Sequence, residues 1–152
     1  MERKATLPGV RNYTRVDATV GCAGAVTPES VAAIKAEGYA AILNLRLATE
    51  TDANVEGERR AADRAGLKFL HLPFDSSAPD PAVVKTFLKL AGDPNNQPLF
   101  IHCASANRVG ALWLIKRVKL DRWSIERATE EATAIGLTNP QLKAFALNYL
   151  KS

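Results

Sequence analysis

The chain has little of what marks several common protein classes. No apolar stretch approaches the roughly 18 residues of a membrane span, and Met1 to Pro8 hold no apolar signal core. There are only two cysteines, Cys22 and Cys103, and two histidines, His71 and His102. A single possible disulfide excludes a disulfide-built scaffold. Without paired Cys/His spacing, no metal site is expected. No Gly-x-Ser-x-Gly elbow marks a serine hydrolase, and no Walker-type loop marks a nucleoside-triphosphate site. A net charge of +4 favours anionic ligands, but the 20 Lys and Arg are scattered. With no basic run and no aromatic-interleaved patch, neither nucleic acid nor a membrane is expected as a partner.

What is present suits one folded unit. Hydrophobic residues make up 47% and charged residues 24% of the 152 positions, which gives one real core and no room for a second domain. The expected boundaries are a flexible N-terminal segment over 1–12 and a catalytic domain over 13–152. A lone reactive thiol fits a reducing compartment. A cytoplasmic location is therefore expected, with a periplasmic or secreted one after signal removal left open.

Turn and cap signals divide the chain into alternating strands and helices. Tyr13 to Val20 reads as an opening strand and Gly21-Cys22-Ala23-Gly24 as a turn, with Cys22 a small buried hydrophobe. Thr27-Pro28-Glu29 opens a helix that Gly38 stops. Ala40 to Arg46 is a strand apolar enough to be buried on both faces. Leu47 to Asn54 is a polar loop with Glu50 and Asp52, and Val55 to Ala65 a helix whose charges read as a solvated face. Leu67 to Phe74 is a further strand, with His71 a structural residue on it. Asp80-Pro81 caps a helix bearing Val84 and Phe87. A strand over Leu99 to His102 precedes helices over Val109 to Leu120 and Ser124 to Ile135, and Thr138-Asn139-Pro140-Gln141 is a capping-box pattern for the last helix. This alternation predicts an α/β fold with a central, largely parallel sheet flanked by helices.

The chemistry concentrates between that strand and its helix. Cys103 starts a loop, Arg108 ends it, and Ala104, Ser105, Ala106 and Asn107 lie between. A strand that passes directly into a helix aims the loop N–H groups and the helix N-terminus at one point, which is an anion site. A thiol facing such a positive potential ionises more readily. The loop therefore reads as a thiolate held beside an oxyanion. Attack on phosphorus would expel an alkoxide, which needs a proton from a nearby carboxyl. Asp75 and Asp80 are the candidates. Asp75 is the freer, while Asp80 also has a cap to make. His102 is placed to orient the loop, Ser105 to donate to the anion or thiolate, and Asn107 to hold the loop's shape. Glu50 is a candidate brace for Arg108 or Arg46.

His102-Cys103, a short loop and then Arg108-Val109-Gly110 opening a helix resemble the cysteine-dependent protein-tyrosine and dual-specificity phosphatase superfamily. Ala41 to Arg46 resembles that group's strand ending in Asn-Leu-Arg. Glu58 to Phe74, followed by an Asp-bearing loop, resembles the segment before its general acid. The bacterial beta-lactamase-hydrolase-like phosphatase family is most similar, having four residues between Cys and Arg as here, and the resemblance spans Tyr13 to Tyr149. It implies hydrolysis of a phosphate monoester through a thiophosphate intermediate on Cys103. Ala104 to Asn107 and Arg108 would bind the phosphate, Asp75 or Asp80 would be the acid, and no metal or organic cofactor would be needed. The implied substrate is a phosphorylated small molecule or phosphoprotein. Tyrosine phosphatases usually have five residues in the loop, a Ser or Thr where Val109 stands, and a Gly where Ala106 stands. The four-residue spacing also resembles single-domain rhodaneses, although their Asp-x-Arg-Glu and Gly-His-Ile-Pro-Gly stretches are missing. A sulfurtransferase using a Cys103 persulfide and a catalytically silent phosphate-binding module are the alternatives.

Overall fold

Short apolar strands alternating with helices pair side by side in parallel, because each helix carries the chain back across the sheet. In the computed structural model, which describes residues 2–152, six strands form one sheet. They are β1 (Arg3–Ala5), β2 (Tyr13–Asp17), β3 (Val20–Ala23), β4 (Ala41–Asn44), β5 (Lys68–His71) and β6 (Leu99–His102), in the order β1-β2-β3-β6-β4-β5. The pairs β3/β6, β6/β4 and β4/β5 are parallel, and β1/β2 and β2/β3 antiparallel. Helices α1 (Val31–Ala36), α2 (Val55–Ala65), α3 (Pro81–Ala91), α4 (Asn107–Lys119), α5 (Ile125–Ile135) and α6 (Pro140–Lys151) cover the sheet.

The strand period of two splits the core into two layers. Leu99, Ile101 and Cys103 face a large cluster with Val84 and Phe87 of α3, Leu112 and Trp113 of α4, Ala132 of α5 and Leu142 of α6. Phe100 faces the opposite cluster, with Val31 and Ile34 of α1 and Ala61 and Ala62 of α2. The connections leaving β3 and β4 thus run to one face, while the connection leaving β6, which lies between them, runs to the other. Divergence of this kind opens a crevice at the carboxyl ends of the strands, where ligands bind in open α/β sheets. The loop from Cys103 to Arg108 lies at that edge.

Within the stretch expected as a flexible segment, Arg3–Ala5 form β1, which pairs with β2 through backbone groups and so needs no apolar pattern to reveal it. Three expectations are corrected. The opening strand is broken by a reversal: the Asp17 carboxylate accepts from both the N–H and the hydroxyl of Thr19, at 2.7 Å each, and turns the chain from β2 into β3. Gly21 to Ala23, expected in a turn, lie in β3, where glycine suits position 21 because a Cβ there would run into the Tyr39 hydroxyl. The cap of α6 is Asn139 rather than Thr138, and its Oδ1 accepts from Gln141 and Leu142.

Candidate active site

Ala106 is the residue before α4 and takes the left-handed conformation, at φ 76°. An L-residue there costs roughly 1–2 kcal/mol relative to glycine, and the strain bends the chain sharply from β6 into α4. Gly24 lets the loop after β3 lie against this bend, since a Cβ there would sit 2.7 Å from the Ala104 carbonyl. The Ala25 N–H donates to that carbonyl at 2.9 Å. Among the described residues, no protein acceptor takes the N–H groups of Ala104 through Val109. They are the donors of a loop and first helical turn, free for an anion. Asn107 fixes the loop from outside. Its Oδ1 accepts from Thr138 and Asn139 N–H at 2.7 and 2.8 Å, and its Nδ2 donates to Ser105 Oγ at 3.1 Å. Cys103 is fully buried at the floor of the loop, and Val109 is buried in the core.

Glu50 organises the cations. Arg108 Nη1 and Nη2 donate to its two oxygens at 2.6 and 2.9 Å, and Arg108 Nη1 also donates to the Phe74 carbonyl at 3.0 Å. Arg46 Nε and the Leu47 N–H complete the cage at 3.1 and 2.7 Å. Burial works against the Glu50 charge, but these donors, Arg108 first, outweigh it and hold the carboxyl down at about 2. Burial likewise opposes the charge of Arg108, and Glu50 and then the Cys103 sulfur overcome it, so its guanidinium holds its proton more firmly than usual. Of the five N–H donors of Arg108, three serve the protein. Nε–H and one Nη2–H remain, on one edge of the guanidinium, a fork whose shape matches two oxygens of an oxyanion.

Beneath the loop is a buried polar group that the sequence reading took for solvated helix charge. Glu58 of α2 contacts His102 Nε2 at 2.6 Å and accepts from Asn44 Nδ2 at 3.0 Å. Asn44 in turn accepts from the Arg46 N–H at 2.7 Å. His102 Nδ1 lies 3.3 Å from the Cys103 carbonyl, so this group ties α2, β4 and β6 to the start of the loop. The available signal was position: Glu58 falls on the helical period of Val55 and Ala62, the buried stripe of α2.

The two candidate acids separate. Asp80 caps α3 by accepting from the Ala82 N–H at 2.9 Å and is exposed. Asp75 directly follows Phe74, whose carbonyl binds Arg108. Its carboxylate accepts from the N–H and hydroxyl of Ser77 at 2.9 and 2.7 Å, and the hydroxyl bond first of all holds it below the usual carboxylate range. Both bonds fall on Oδ1, which leaves Oδ2 without a protein partner among the described residues. His71 has the structural place expected of it, with Nε2 2.6 Å from the Arg46 carbonyl. Among the described residues, no group of three or more His, Cys, Asp or Glu is placed to hold a metal ion. Among the described residues, no helix is long and apolar enough to cross a membrane.

Residues 11–146 match the model of a family described as DSP-PTPase phosphatase fused to NAD+ kinase. The chain belongs to that family. This places it within the cysteine-dependent phosphatase superfamily that the Cys103–Arg108 loop resembles. No curated protein matches it. Solved structures share its fold at low identity. The DUF442 protein from Shewanella putrefaciens CN-32 is 17% identical over 93% of this chain and 90% of its own, with a TM-score of 0.78. TpbA from P. aeruginosa is 21% identical over 97% and 88%, with a TM-score of 0.73. The core catalytic domain of the PP-IP phosphatase Siw14 from S. cerevisiae, in complex with citrate, is 19% identical over 95% and 88%, with a TM-score of 0.77.

Proposed function

We propose that this phosphatase hydrolyses a phosphate monoester by covalent catalysis on Cys103. The observation that carries the reading is the Arg108 fork, held by Glu50 with two donors to spare, facing a loop whose N–H groups have no protein partner. The Cys103 thiolate attacks phosphorus and the ester oxygen departs, giving a thiophosphate enzyme. The loop N–H groups of Ala104, Ser105, Ala106 and Asn107 and the Arg108 fork hold the non-bridging oxygens as charge shifts onto them. Asp75 gives the leaving oxygen its proton. Its place beside the Phe74–Arg108 contact favours it over Asp80, which is committed to α3. Water then attacks phosphorus and releases phosphate and the thiolate. His102, tied to Glu58, positions the loop.

No step in this scheme calls on a metal or organic cofactor. The catalytic unit spans 13–152, with β1 paired on its edge. The substrate is a phosphorylated molecule, and the free thiols of Cys22 and Cys103 suit the reducing cytoplasm. The test is release of phosphate from an aryl phosphate, beside thiocyanate formation from thiosulfate and cyanide, in the wild type and Cys103→Ser. Phosphate release that disappears in the variant supports the proposal. Thiocyanate formation without phosphate release overturns it.

A further inference from the structure

A cleft of about 530 Å³ opens beside the catalytic loop, between the N-terminal segment and the loops that follow β3 and β4. Ala104, the residue after the nucleophile, forms part of its wall, and Arg11, Val26, Arg46 and Asp52 line it. That volume suits a small molecule rather than a bare phosphate.

The two arginines are held in different ways. Arg46 is buried. Its Nε donates to Glu50 and its Nη2 to the Thr51 carbonyl at 2.8 Å, while its Nη1 has no acceptor among the described residues. Arg11 is exposed and has no carboxylate partner among the described residues. Its side chain makes one long contact, 3.5 Å from Nη1 to the Ala104 carbonyl. The one acid of the cleft, Asp52, is exposed and pairs with neither. The spacing of the cations matters most. Glu50 Oε1 is shared between Arg46 Nε at 3.1 Å and Arg108 Nη2 at 2.9 Å. The two guanidiniums therefore lie on either side of one carboxylate oxygen, which places the buried cation of the cleft next to the cation of the loop. No aromatic residue lines the cleft, so nothing in it stacks on a tyrosine ring.

We infer that this cleft is a second-anion subsite, and that the substrate is a small molecule carrying two neighbouring phosphates, one cleaved at Cys103 and the other held by Arg11 and Arg46. The inference rests on the reading of the loop as the phosphate site.

Calorimetric titration of the Cys103→Ser protein at 0.15 M salt tests it without turnover, using orthophosphate, inorganic pyrophosphate and phosphotyrosine as probes. Pyrophosphate is expected to bind at least about tenfold more tightly than either of the others, a difference of about 1.4 kcal/mol. Adding Arg11→Gln reduces the preference for pyrophosphate over orthophosphate by about fivefold, a modest figure for an exposed cation. Arg60→Gln, an exposed charge on α2, leaves the preference unchanged. Equal affinity for the two inorganic probes, a preference that survives Arg11→Gln, or tighter binding of phosphotyrosine overturns the subsite while leaving the loop reading intact. Failure of every probe to bind overturns the loop reading and the subsite with it.

Discussion

Replacing Glu50 with glutamine keeps the shape of the side chain and removes its charge. In the native protein that charge is clamped by Arg108, the Leu47 N–H and Arg46. A carboxyl held at about 2 rather than 4.5 is worth about 3 kcal/mol of folding stability at neutral pH. The side chain is 22% exposed, and glutamine keeps part of the bonding, so the expected loss is about 2 kcal/mol. For a domain of this size that lowers the melting temperature by roughly 4–8 °C. The folded pKa lies below the unfolded one, so the contribution is complete above 4.5 and lost as pH falls towards about 2. The gap between wild type and Glu50→Gln should therefore be widest at pH 6–8 and shrink steadily below pH 5. Thermal melts at several pH values read this directly. Turnover should suffer more than stability, because Arg108 loses its anchor, and a misplaced binding group costs about 100-fold. A variant as stable as the wild type at pH 7, or a gap that stays constant down to pH 3, would refute the role given to Glu50.

Other substitutions probe the remaining parts. Asp75→Asn should slow alkyl phosphate hydrolysis by roughly 10²–10⁴-fold and affect p-nitrophenyl phosphate much less, since that leaving group needs no proton. Asp80→Asn preserves the α3 cap and should change neither rate nor stability, whereas Asp80→Ala should cost about 1 kcal/mol in denaturant titration. A rate loss with Asp80→Asn and none with Asp75→Asn would exchange their roles. Glu58→Ala strands His102 and Asn44 in the core and should destabilise the fold by about 3–5 kcal/mol. A loss below about 1 kcal/mol would show that Glu58 is solvated after all.

The legible parts of the fold were those written in local chemistry. Asp80-Pro81 names its own cap, and the apolar run at Ala40–Arg46 marks the strand that ends beside β6. The loop was legible because Cys103 and Arg108 bracket a strand-to-helix change. Even the brace was readable, since Glu50 stands in the loop after Arg46. What escaped depends on partners distant in sequence. Gly21 belongs in a strand because Tyr39 packs over it. β1 exists only as a backbone pairing with β2. Glu58 looks like surface charge until His102, 44 residues away, is brought against it. The reversal at Asp17 was local, yet β-branched neighbours masked it, and Asn139 outcompeted Thr138 as a cap because its amide oxygen accepts from two N–H groups.

The mechanism passes through a phosphorylated cysteine. It is tested most directly by quenching the Asp75→Asn enzyme within milliseconds of mixing with p-nitrophenyl phosphate and mapping the peptide that carries the phosphate by mass spectrometry. Phosphate is expected on the Cys103 peptide, none on the Cys22 peptide, and none on either in Cys103→Ser. Turnover that persists in Cys103→Ser, or phosphate mapped to any other residue, would contradict it.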